Sequence, residues 1–435
     1  MPNAKIGMRD TSTYNVTGER PESWRQGIQY LFPNGSAPLT AMMSQMKGEA
    51  VTDPHYHWFT QTYINKGAAA VNSGIYTDLT WGTPLSATTS AAGSVLAAQC
   101  TAQFATYLKE GNIVLLREEL DHSNDMQVRV TSVVRGSDTT SGFQFVTLKL
   151  DGSGNGSMVD ADRFIIIGSA FAEGDSRPEA ISYVPVEHSG YCQIFRTSLS
   201  QTRTAMKTKL RTEDSYQKAK KECLQDHSIE LEDAFLWGVK TLGTGDNGEP
   251  LRTTDGIVQF MRDNYATNVL DYRQDPGYAG QTWAAGGKAF MNGAIEQSFR
   301  WGDTTEKMVF TGNGGMLAIQ DVVENNSMYN LSGGETKYGI KVNTLETPFG
   351  TWHIKTHPRF THETSNTNSL LAFEMKNIRY RYIDDTKFMA DEHFGKGGGT
   401  GVDGKNEEFL TECGLEFHHP EQFMYISNLG TLNVV

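Results

Sequence analysis

Residues 212–238 constrain this chain more than any other stretch. Tyr216, Ala219, Cys223, His227, Leu231 and Ala234 recur at spacings of three and four, which places them on one face of a helix. Leu224 and Phe235 widen that stripe. Glu213 and Asp214 fall in the first turn, where negative side chains suit the positive end of the helix dipole, and Gly238 stands where a C-terminal cap belongs. The pattern predicts one helix over about 212–237, and from Glu213 to Leu236 it would span roughly 36 Å. The acidic residues of its second half (Glu222, Asp226, Glu230, Glu232, Asp233) read as a solvated or partner-facing side. Upstream, Ile181–Ser200 mixes β-formers with polar residues and has little apolar content to bury, as an extended arm would. Arg203, Lys207, Lys209 and Arg211 form a basic turn between arm and helix. An arm rooted in one long helix suits a protein that reaches into its neighbours.

The chain has 435 residues, enough for two or three domains. Its net charge of −13 argues against a dedicated nucleic-acid binder, which would carry a basic face or domain. Hydrophobic residues make up 38% and glycine is abundant, as in a loop-rich mixed α/β protein rather than a helical bundle. Cys100, Cys192, Cys223 and Cys413 lie far apart without a C-x-x-C pair, so they read as reduced core or interface thiols. The first ten residues hold no apolar leader core, and no run approaches the ~20 apolar residues of a membrane span. A secretory leader and a membrane partner are therefore not expected.

Residues 1–35 are polar and punctuated by glycine and proline, and read as an arm, taken to extend to residue 48, with short helices expected at Glu22–Leu31 and Pro38–Met46. From Gly93 to about Phe171 the texture changes. Asn112–Arg117, Met126–Val134, Phe143–Leu150 and Arg163–Gly168 read as four strands separated by Asp/Gly/Ser turns, predicting a small β-barrel or sandwich over 93–172. Beyond Leu251, helices are expected from Thr254, over Gly286–Phe299 and over Met316–Glu324. Strands are expected at Lys307–Phe310, Thr351–Lys355, Ser369–Ile383 and Leu410–His418.

Few residues carry chemistry. His55-Tyr-His57 puts two imidazoles on one side of a strand, but no third ligand follows at a useful spacing. His353 and His357 lie in β-prone sequence ending at Pro358, and His362 and His418-His419 sit in loops. Gly243-Thr-Gly-Asp-Asn-Gly248 matches G-x-G-x-x-G formally, yet a helix precedes it and Glu249-Pro250 follows, so it reads as a turn. Gly312-Asn-Gly-Gly lies between a strand and a helix, where an anion could bind, but it lacks the lysine of a phosphate loop and reads as close packing. With no triad, carboxylate pair or metal set, no enzyme, catalytic residue, metal or cofactor is expected.

The run Gln193-Ile-Phe-Arg-Thr followed by Ala219–Gly238 resembles the extended-loop and spine-helix region of tailed-bacteriophage major capsid proteins, whose fold is shared with the herpesvirus capsid floor. Phe349-Gly-Thr-Trp-His-Ile-Lys-Thr-His-Pro, Glu412-Cys-Gly-Leu-Glu-Phe and Ile426-Ser-Asn-Leu-Gly-Thr are similar to later parts of that family, in order, over 36–432. The resemblance implies an N-terminal arm (1–48), an extended loop and peripheral domain (49–92 and 173–250), an inserted β-domain (93–172), an axial domain (251–395) and a return to the peripheral domain (396–435). It implies a structural subunit that self-assembles through pentamers and hexamers into an icosahedral shell around double-stranded DNA, which it touches without sequence preference. Portal, scaffolding and decoration proteins would be further partners, with assembly in the host cytoplasm and residence in the virion. On this reading Trp24 and Trp58 are intersubunit anchors of the arm, and Phe195, Arg196, Arg203 and Lys207 contact neighbours from the extended loop. The alternatives are another phage structural protein, such as a tail tube or decoration protein, and a cytosolic hydrolase.

Overall fold

A computed structural model describes residues 39, 48–61, 66–85, 94–119, 125–148, 161–208, 214–302, 304–324, 330–337, 340–390 and 403–435, with side chains outside Ser73 and 330–341. Trp24 and the expected helix at Glu22–Leu31 lie outside the described residues, as does the second expected helix except for Leu39, which is helical and buried. Two compact units divide the chain: Met1–Thr60 with Val186–Val435, and Gln61–Pro185.

The second unit is a closed six-stranded barrel. Its strands run in the order Gly67–Tyr76, Val95–Cys100, Gly142–Thr147, Met126–Val134, Asn112–Arg117, Arg163–Ser169. All neighbours are antiparallel. Val114 and Leu116, Val128 and Val130, and Phe143 and Phe145 are each two residues apart, so the pleat turns every pair into the same interior. Ala102–Tyr107 forms a short helix that Thr101 caps through the Phe104 N–H, and Phe104 joins the core beside Phe164. The expected boundaries at 93 and 172 need correction. They omit Gly67–Tyr76, whose Gly-Ala-Ala-Ala start has weak strand propensity and is held by barrel closure instead.

Where this unit enters is defined by one ladder. His55–Thr60 pairs antiparallel with Val186–Tyr191, and its last rung is Thr60 opposite Val186. Residues 61–185 thus stand where a hairpin needs only a turn. We predict that joining Thr60 to Val186 through Asn-Gly, which suits a two-residue hairpin turn, leaves the first unit soluble and folded. Loss of its cooperative unfolding transition would show that the barrel is required for the fold.

In the first unit a four-stranded sheet runs Glu49–Ala50, Ile378–Met389, Gly404–Phe417, Gln193–Thr202. The expected free arm is therefore corrected: Gln193–Thr202 pairs with Gly404–Phe417 over its whole length and buries Phe195 and Leu199. The long helix, Ser215–Trp237, packs on this sheet. Asp214 is its N-cap rather than a first-turn residue, its carboxylate accepting from the Tyr216 and Gln217 N–H groups at 2.9 and 3.0 Å. Cys223, His227, Leu231 and Phe235 are buried as the spacing predicts, but Leu224 is 43% exposed. Gly238 ends the helix with φ −54°, not in a left-handed cap; a side chain there would run into the Ala234 and Thr254 carbonyls.

A seven-stranded sheet runs Val269–Asp271, Met424–Ser427, Leu370–Phe373, Glu306–Thr311, Gly350–Thr356, Ile340–Thr347, Asn330–Lys337. Its central strands are covered on both faces. Met308, Phe310, Leu371, Phe373 and Tyr425 join the core that holds Leu231 and Phe235 of the long helix. Val309, Leu370, Ala372, Met424 and Ile426 alternate with them and pack with helices Trp283–Phe299 and Asn313–Glu324. Double-sided burial explains why these strands are apolar without a break. Two sequence expectations are corrected here. Ser369–Ile383 is two strands in two different sheets, parted by a 3-10 turn at Met375–Asn377. Residues 396–435 likewise divide, with Gly404–Phe417 in the four-stranded sheet and Met424–Ser427 in the seven-stranded one.

Candidate assembly surfaces

The long helix carries a buried carboxylate that sequence reasoning placed in solvent. Glu232 is fully buried and accepts from the Leu39 backbone N–H at 2.8 Å and from His357 Nε2 at 2.7 Å. His357 Nδ1 accepts the Arg359 N–H at 3.1 Å, so the ring proton sits on Nε2 and points at the carboxylate. One residue on, Asp233 receives both Nε and a terminal nitrogen of Arg359 at 2.7 and 2.6 Å, a fork that raises the guanidinium pKa. Adjacent acids on the helix therefore grip His357 and Arg359 around the short helix Pro358–His362, and Glu232 also holds the chain at Leu39. The only sequence signal was the position of Glu232 beside Leu231, inside the apolar stripe.

The expected contact residues separate into two groups. Trp58 and Phe195 are 6% and 5% exposed and belong to the subunit's own core. Trp58 Nε1 donates to the Phe417 carbonyl at 2.8 Å, and the Phe195 ring meets Phe235 edge-on. The reading of these two as partner anchors is corrected: each completes its own sheet–helix packing and has no surface left to offer. Arg196, Arg203 and Lys207 are exposed. Arg196 forks onto Glu408 across the ladder at 2.7 Å, and Arg203 pairs with Asp403 at 2.7 Å. Lys207 closes the short helix Arg203–Lys207.

More surface was missed. After Gly238 the chain forms a hairpin, Thr241–Thr244 with Pro250–Thr253, turning through Gly248 at φ 84°. This is the formal G-x-G-x-x-G, and it is a turn. Leu242 and Leu251 are 59% and 56% exposed and, being in adjacent rungs, point to opposite faces. At the hairpin's root the Gly256 N–H closes onto the Gly238 carbonyl at 2.9 Å. Asp255 is buried there, and its Oδ1 has no partner among the described residues. Burial pushes its pKa to about 7, with Asp263 adding to the rise and Lys240 and the Gly256 N–H opposing it.

Two of the histidines have partners within the subunit. His227 bridges the two long strands through Thr197 Oγ1 at 2.9 Å and Thr411 Oγ1 at 2.7 Å, and burial lowers its pKa. His57 pairs with Glu187 at 2.8 Å. Among the described residues no group of three or more His, Cys, Asp or Glu is placed to hold a metal ion, and no helix is long and apolar enough to cross a membrane. Gly312, Gly314 and Gly315 pack against Thr367, Asn368 and Thr311, where side chains would collide.

Comparison with known proteins agrees with a structural role. The chain is 26% identical to the major capsid protein of Pseudomonas phage PaMx41 over 438 residues, covering 96% of this chain and 94% of that one. Among solved structures it is similar to the capsid of Myoviridae phage XM1 (10% identity, 60% of this chain and 81% of that one, TM-score 0.38). It is also similar to the capsid of cyanophage P-SCSP1u (11%, 60% and 80%, TM-score 0.37). A family model, the SU10 major capsid protein, matches residues 9–430. The chain belongs to that family: it is a structural protein that forms the shell of a phage capsid, not an enzyme.

Proposed function

We propose that the subunit closes its shell from pentamers and hexamers, in the host cytoplasm, around double-stranded DNA that it touches without sequence preference. Portal and scaffolding or decoration proteins would complete the particle. In this reading the four-stranded sheet and long helix form the peripheral domain, the seven-stranded sheet with its two helices forms the axial domain around the ring centre, and residues 61–185 are an insertion in the extended loop. The net charge of −13 lets packaged DNA slide along the wall rather than adhere.

The observation that carries this is the hairpin after the long helix. A two-stranded hairpin alone is marginal in water, and this one exposes a leucine on each face. A neighbouring subunit that covers both faces supplies what the hairpin lacks, with Arg196, Arg203 and Lys207 as charged contacts elsewhere on the surface. Many modest contacts of this kind, repeated around a closed shell, reinforce one another. The double variant Leu242→Asp, Leu251→Asp should give soluble, folded subunits that form no shells in sedimentation or negative-stain microscopy. Closed particles at wild-type yield would overturn the proposal.

A further inference from the structure

On the barrel unit, the loop after Arg163–Ser169 folds back over Met126–Val134 and leaves a polar cleft of about 390 Å³. That volume lies in the range of about 300–1,000 Å³ that holds small ligands. Phe171 forms a platform in it. Gly111, at φ 82°, sits beneath the ring so closely that any side chain would collide with it, while the ring remains 41% exposed.

Polar groups surround this platform. Arg135 is locked by the Ala105 and Leu108 carbonyls at 3.2 and 2.9 Å and by Glu179 at 3.3 Å. Arg129 spends only Nε, on the Ala170 carbonyl at 3.1 Å, and its terminal nitrogens have no partner among the described residues. Arg177 lines the same cleft, and Glu110, Asp175 and Glu179 balance the three guanidinium charges.

We propose that this cleft binds a neutral sugar, one or two rings in size, stacked on Phe171 and hydrogen-bonded by Arg129 and by carboxylates that line the cleft, Glu110 and Asp175. Charge balance favours a neutral ligand, because a phosphate or an acidic peptide attracted by the arginines meets as many carboxylates. Guanidinium groups only donate and carboxylates only accept, so together they match hydroxyls, which do both. The exposed ring presents a negative face, which attracts the weakly positive C–H groups of a sugar's flat side. The site goes beyond shell formation and gives the inserted barrel a ligand of its own.

The test uses the full-length protein and saturation-transfer NMR. The probes are common hexoses, N-acetylhexosamines and their disaccharides, with inorganic phosphate and a poly-glutamate peptide as anionic controls. At least one sugar should receive saturation, and Phe171→Ala and Arg129→Gln should each weaken its binding roughly tenfold, the effect of losing one good contact. Unchanged sedimentation of both variants would establish that they remain folded. No transfer to any sugar, transfer unaffected by either substitution, or binding confined to the anions would each overturn the proposal.

Discussion

Replacing Glu232 with alanine should destabilise the first unit by about 3–5 kcal/mol, the usual cost of breaking a buried charged partnership from one side. The carboxylate accepts from Leu39 N and His357 Nε2, and both donors belong to fully buried residues. Alanine leaves them without an acceptor and opens a void besides. Glu232→Gln keeps one oxygen of similar reach and should cost clearly less. Urea unfolding of the two variants would measure the difference, and limited proteolysis near residue 39 should be faster in the alanine variant. An alanine variant within about 1 kcal/mol of wild type would mean that water or another group satisfies those donors.

The second large effect is opposite in sign and depends on pH. Asp255 is buried, and its pKa lies at about 7 against an ordinary 3.8. Below the ordinary value the carboxyl is protonated both folded and unfolded. Between the two values the unfolded chain releases the proton while the folded chain retains it, so stability falls as pH rises toward 7 and is then level. Asp255→Asn removes this loss and should leave the variant more stable above about pH 7, by up to ~4 kcal/mol, with the advantage fading toward about pH 4. Lys240, Asp263 and the Tyr56 hydroxyl also face the site, and none is altered by the substitution. Urea midpoints across that range would decide it; a constant difference at every pH would assign the effect to packing.

The sequence was most legible where periodicity and burial coincide. Cys223, His227 and Leu231 follow a helical spacing and are buried, and the strands of Val114, Val128 and Phe143 follow a spacing of two. It was least legible where tertiary structure reverses a residue's ordinary preference. Glu232 is a carboxylate that burial tolerates only because Leu39 and His357 arrive from 193 and 125 residues away. Trp58 and Phe195 are aromatic, and aromatic residues suit a core and an interface equally well. The break at Met375–Asn377 contains neither glycine nor proline, so nothing local marks the passage from one sheet to the other. The cleft beside Phe171 could not be inferred at all, because its arginines and carboxylates come together only when the barrel closes.

The placement of Met424–Ser427 bears on when the chain can fold. This strand lies between Val269–Asp271 and Leu370–Phe373, pairing with one in parallel and the other antiparallel. Until it emerges from the ribosome, those strands have no bridge, and the cores on both faces lack Met424, Tyr425 and Ile426. Pairings of such long sequence separation form slowly and late. A chain without this strand lacks the wedge that joins Val269–Asp271 to the rest of its sheet. The two cores that meet across this sheet therefore share one late-placed strand as their common fastening.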